Sequence, residues 1–229
     1  MLAFARRLVK DEGVEKIEFT KTLASYRAAR DAVTVVDVPK MRYLMVDGHG
    51  DPNSAGFITA IEALYPVAYA LKFYSRATLE RDYVVPPLEA LWWADDMSAF
   101  TTARDKSKWH WTVMLMLPEW IDEAEVPRQV ERVRAKRAAA RLDDVRLGSL
   151  DEGRCAQVLH VGAFDDEGGI LRQMHEEYLP QHGLRPSGRH HEIYLSDFRR
   201  VAPEKQRTIL RQPVESAGLR AADHDERIR

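Results

Sequence analysis

One pattern occurs twice along this chain, and it constrains the fold more than any other feature: a strand, a helix and two further strands. The first copy opens with the β-branched, apolar run 33–47, interrupted at Pro39, followed by the turn Gly48-His49-Gly50-Asp51-Pro52-Asn53. Ile58, Ile61, Leu64, Ala68 and Leu71 then recur at three or four residues, the stripe of an amphipathic helix. Pro66 falls inside that stripe and predicts a kink or a division of the helix. Strands are expected over 87–94 and 109–117. In the second copy, 154–164 reads as a strand. Asp165 and Asp166 offer a helix N-cap, Ile170, Met174 and Tyr178 line one helical face, and Gly183 suits the C-cap. Strands over 190–196 and 207–212 complete it, and a helix near 122–141, with Val126, Val130 and Val133 as its apolar side, joins the copies.

Two such copies predict an α+β fold, a pseudo-twofold antiparallel sheet with helices on one face and a ligand trough on the other. The repeats run over about 33–118 and 145–214 within a domain spanning 33–215. Residues 1–32 form an extension too weakly patterned to be a DNA-reading domain, and the small or charged residues of 216–229 read as a frayed tail.

Composition narrows the function classes. A net charge of −2 gives no electrostatic reason to expect binding to nucleic acid or to an anionic membrane. The charged start, 1–10, does not read as a signal peptide, and no stretch approaches the roughly 20 apolar residues of a membrane span. The single cysteine, Cys155, leaves no partner for an internal disulfide and reads as a buried thiol in a cytoplasmic protein. No metal and no cofactor is expected: His190 and His191 are adjacent on a strand and cannot converge on one ion, and Gly48-His49-Gly50 lacks the spacing of a nucleotide-binding loop. Whether the chain is a monomer or a homodimer stays open.

The residues with chemical potential lie in two strands. In Leu88-Glu89-Ala90-Leu91-Trp92-Trp93, adjacent tryptophans point to opposite faces, so one packs in the core while the other faces the open side. In His191-Glu192-Ile193-Tyr194-Leu195, Glu192 and Tyr194 share one face; if Ile193 and Leu195 face the helices, Glu192 faces the trough. A carboxylate there, ringed by aromatic side chains, has a raised pKa and serves as a proton acceptor or a counter-charge. The plainer alternatives are two core tryptophans and a surface Glu192 paired with Arg189 or Arg207. Glu89, Glu192, Tyr194 and at least one of Trp92 and Trp93 are expected to line one cavity.

Those two segments, with Ala202-Pro203-Glu204-Lys205 and the turn 47–53, resemble the stand-alone GyrI-like proteins, over about 19–214. In regulators of that superfamily a glutamate on the strand matching Glu192 sits in an aromatic pocket for cationic drugs; no helix-turn-helix domain accompanies it here. The resemblance further implies, from the stand-alone branch, a hydrolase that opens the cyclopropane of DNA-alkylating antibiotics of the yatakemycin and duocarmycin type, as detoxification or self-resistance. Under it, Glu192 or Glu89 activates water, and Tyr194 or Tyr74 donates to the dienone oxygen. Trp92, Trp93, Trp109 and Trp111, with His191, hold the flat toxin. Which glutamate is the base is left open. A sequestering drug-binding protein is the runner-up, and a topoisomerase-contacting protein a third reading.

Overall fold

The computed structural model describes residues 15–100, 105–136 and 139–218. Eight principal strands form one antiparallel sheet: β1 (Thr34–Val38), β2 (Met41–His49), β3 (Leu88–Trp93), β4 (His110–Leu117), β5 (Arg146–Leu150), β6 (Gly153–Val161), β7 (His190–Tyr194) and β8 (Arg207–Ser216). A short strand, Leu184–Pro186, adds to the end of β8. Their order across the sheet is β1-β6-β8-β7-β3-β4-β2-β5. That order is palindromic about the β7–β3 junction. Each copy also sends its leading short strand, β1 or β5, across to edge the other copy's half. Pro39 accounts for the break between β1 and β2: a residue without an N–H ends one ladder, and the chain changes partner from β6 to β2's neighbours, β4 and β5.

The helices are α1 (Ala55–Thr78), α2 (Glu125–Arg134) and α3 (Gly168–Arg172); α3 continues as a π-helical stretch, Gln173–Tyr178, and a last turn, Leu179–Gln181. α1 packs Phe57, Ile61, Leu64, Ala68 and Leu71 against Leu88, Ala90 and Trp92 of β3 and Trp111, Val113 and Leu115 of β4. Ile58 does not join this stripe; it is exposed, because the buried face centres on Ala60, Leu64, Val67 and Leu71. Nor does Pro66 divide the helix, which runs unbroken for 24 residues. One missing intrahelical bond is outweighed by packing against the sheet on both sides of the proline. In the second half Met174 and Leu179 pack on Ala156, Val158 and Leu210, and Gly183, at φ 62°, ends the helix as its sequence predicts. Asp165 and Asp166 fall in a 3-10 turn instead of capping: the helix begins after Glu167, with no side-chain cap. Residues 1–14, 101–104, 137–138 and 219–229, with most of the expected tail, lie outside the described residues.

Gly48 shows how closely the sheet is packed. It pairs across strands with Trp111, whose indole lies over its Cα, so an added Cβ would fall 2.1 Å from the ring. Gly48→Ala is therefore expected to destabilise the fold by roughly 1–3 kcal/mol, as overpacking does, in a denaturant titration. An unchanged midpoint would mean that Trp111 moves aside freely.

Candidate functional site

Strand alternation assigns the side chains to faces. On β7, His190, Glu192 and Tyr194 pair with Trp92, Ala90 and Leu88 on β3; His191 and Ile193 pair with Leu91 and Glu89. The first set shares the face on which α1 and α3 pack, since Tyr194, Leu88, Ala90 and Trp92 belong to the α1 core. Ile193 belongs to a cluster on the opposite face with Tyr26, Tyr43 and Leu91. The expectation that Ile193 faces the helices and Glu192 an open trough is thus reversed, and Glu89 and Glu192 lie on opposite faces of the sheet. Trp92 and Tyr194 occupy matching places, which aligns Glu192 with Ala90 and Glu89 with His191. The two glutamates are one residue out of equivalence, and in a strand one residue is the whole thickness of the sheet.

Glu192 sits at the seam between the halves, opposite Ala90 on one side and Leu210 on the other. The Tyr194 hydroxyl donates to its Oε2 at 2.7 Å and accepts from Trp92 Nε1 at 3.2 Å. Tyr194 is therefore engaged in orienting the carboxylate, which leaves the sequence-based role of donor to a substrate oxygen to another group. His190 Nε2 lies 3.5 Å from Glu192 Oε1. Around them Phe57 stacks on Trp92 at 5.6 Å, Trp109 meets Trp92 edge-on at 5.8 Å, and Phe164 and Phe198 meet Tyr194 edge-on at 5.6 and 6.2 Å.

A further buried carboxyl in the second half has no distinctive sequence pattern. Glu167, at the start of α3, is buried, and burial together with the charges of Glu192 and Asp165 pushes its carboxyl up to about 10. Glu167 is the third acid of Asp165-Asp166-Glu167, where a helix start needs only one. Glu167 Oε1 and both ring nitrogens of His190 are buried without a hydrogen-bond partner among the described residues. Burial and the nearby His190 also hold the His175 imidazole down to about 4, so it is neutral at physiological pH. Polar atoms left open beside a carboxylate form a place for a water or a polar ligand atom. The Glu192 charge reaches Glu167 electrostatically, so the two carboxyls influence each other's protonation.

Of the other expected site residues, Trp111 lies on the same face but is covered by Phe57 and Gly48. Tyr74 is nine residues beyond Tyr65 on α1, half a turn round the helix and partly exposed. Trp93 is on the far face, between Arg189, 3.5 Å above its ring, and His110, stacked at 5.6 Å. Glu89 and His191 are wholly buried there. Glu89 accepts from Tyr26 at 2.5 Å and lies 3.0 Å from His191 Nε2; His191 Nδ1 is 3.0 Å from Glu152. Arg211 completes the cluster, donating to Glu152 at 2.8 Å, Gln157 at 3.1 Å and the Ser25 carbonyl at 2.5 Å. Residues 19–28 are thereby bound to the sheet and cover this face, which is not the open trough the alternation predicts. Cavities of 610 Å³ between α2 and β5 and of 290 Å³ beside Glu152 and Arg189 lie elsewhere.

A profile of the GyrI-like small molecule binding domain matches residues 31–215. The chain belongs to that family. Among solved structures, an uncharacterized conserved protein from Listeria innocua is 36% identical over 87% of this chain and all of its own, with a TM-score of 0.80. A protein described as a hydrolase from the same organism is 35% identical over the same shares, with a TM-score of 0.76. No curated protein matches the sequence. Within this GyrI-like chain, no described helix is long and apolar enough to cross a membrane, and no group of three or more metal-ligating side chains occurs among the described residues.

Proposed function

We propose that this GyrI-like protein is a hydrolase that adds water to a flat, electrophilic toxin, and that its substrate class is the spirocyclopropyl-dienone alkylators, which it detoxifies in the cytoplasm. The observation that carries the reading is Glu192, oriented by the Tyr194 hydroxyl at 2.7 Å, with buried Glu167 and His190 atoms left without partners; burial and the Glu192 charge push the Glu167 carboxyl up to about 10. Glu192 takes a proton from water as the water oxygen bonds to the least hindered cyclopropane carbon. The ring carbon–carbon bond breaks, its electron pair aromatises the dienone, and Glu167 delivers a proton to the former carbonyl oxygen. The product is the substrate plus one water. Proton transfer from Glu192 back to Glu167 restores the pair. Trp92, Phe57 and Phe164 supply the apolar walls for flat rings. Similarity to proteins described as hydrolases supports catalysis over sequestration.

Incubation with a cyclopropane-bearing alkylator, followed by mass spectrometry, tests the proposal. The expected product is heavier by one water and forms over many turnovers. Stoichiometric binding with the toxin recovered intact would replace hydrolysis with sequestration.

A further inference from the structure

A row of aromatic rings on α1 leads away from this site, and of its three rings only Tyr65 packs against the core. Tyr65, Tyr69 and Phe73 stack in sequence with centroids 6.4 and 6.3 Å apart, spanning about 12 Å of helix. Tyr69 and Phe73 are 46% and 59% exposed, unusual for large rings that already stack on each other. Its Tyr65 end packs against the same core cluster that holds Trp92 and Tyr194. The Arg199 guanidinium lies 6.0 Å from the Tyr65 ring and is held in place by Asp197 at 2.9 Å. The preceding residue, Phe198, contacts Tyr194, the residue that orients Glu192.

We infer that Tyr65, Tyr69 and Phe73 form a stacking rail for the distal part of an elongated ligand built of flat aromatic units joined end to end, whose reactive unit lies at Glu192. This rests on the proposed ligand site and extends it. Continuity with that site favours a ligand as the occupant, and so does area. The uncovered parts of these rings amount to roughly 200–300 Å², from about 150–250 Å² for a whole aromatic side chain. A stable dimer needs about 800 Å² per partner. A flat ring system needs no more than the rail provides. Each ring of such a rail changes affinity by roughly two- to tenfold.

The probes are neutral indole-2-carboxamides of one and three amide-linked units, titrated calorimetrically. The three-unit probe is expected to bind wild-type protein at least about tenfold tighter than the single unit. Tyr69→Ser and Phe73→Ser, both at exposed positions, should each weaken the three-unit probe by roughly two- to tenfold and leave the single unit unchanged. Trp92→Ala should weaken both. If the serine variants affect both probes equally, or neither, the rail is overturned while the Glu192 site stands. If Trp92→Ala affects neither probe, the ligand site itself fails and the rail with it. Sedimentation provides an independent check: a wild-type dimer that Phe73→Ser converts to monomer would make the row a self-association surface and overturn the inference.

Discussion

Glu167→Gln is expected to raise the melting temperature while reducing turnover by roughly 10²-fold or more, the scale of a lost general acid. The stability effect follows from linkage. Glu167's carboxyl sits at about 10 in the fold against an ordinary value of 4.5, chiefly through burial and then through the charges of Glu192 and Asp165. Between those values the folded chain binds a proton that the unfolded chain does not, so stability falls as pH rises across that window. At pH 7 the cost is about 3 kcal/mol, which glutamine, having no proton to bind, avoids. For a chain of this size the gain corresponds to roughly 6–12 °C. Melting curves from pH 5 to 9 should converge at the acid end and separate as pH rises. Glu192→Gln should abolish turnover to a similar extent, since it removes the base and also one of the charges that keep Glu167 protonated. A fully active Glu167→Gln enzyme, or one with wild-type pH dependence of stability, would remove the acid–base pair from the mechanism. If Glu192→Gln stays active while Glu89→Gln is dead, the chemistry belongs to the opposite face.

Glu152→Ala should be among the most destabilising single substitutions, by roughly 3–5 kcal/mol, because it removes the carboxylate partner of buried Arg211 and leaves His191 with Glu89 alone. Burial opposes Glu152's ionisation, but His191 and Arg211 outweigh it and hold the carboxyl at about 2. Burial likewise opposes His191's charge, and Glu152 outweighs it, raising the imidazole above its ordinary value. The signs define the window. Glu152's contribution is complete above about 4.5 and is lost as pH falls toward 2. His191's is complete below about 6.5 and is lost as pH rises through its elevated folded value. Denaturant unfolding at pH 5.5, where both contribute, should show the full deficit. Replacing Glu152 and Arg211 together by apolar residues of similar volume should cost less than Glu152→Ala alone. A deficit below about 1 kcal/mol would show the cluster to be open to water.

Periodicity over 33–118 and 145–214 determined the duplicated α+β fold, the opposite faces of Trp92 and Trp93 and the helix stop at Gly183, because strand alternation, helical spacing and backbone chirality act within a few residues. The same local rules put Glu192 and Tyr194 on one face. Which face the helices cover was not local information. Ile193-x-Leu195 and Glu192-x-Tyr194 alternate equally well either way, and only the docking of α1 against Leu88, Ala90 and Trp92, with Tyr26 bonded to Glu89 behind them, chose between them. Tertiary structure also created the site's central property. Glu167 follows two other acids at a helix start and has no distinctive local pattern. Burial against a carboxylate 25 residues further along the chain makes it an acid, and an interaction between distant segments exists only once the sheet has closed.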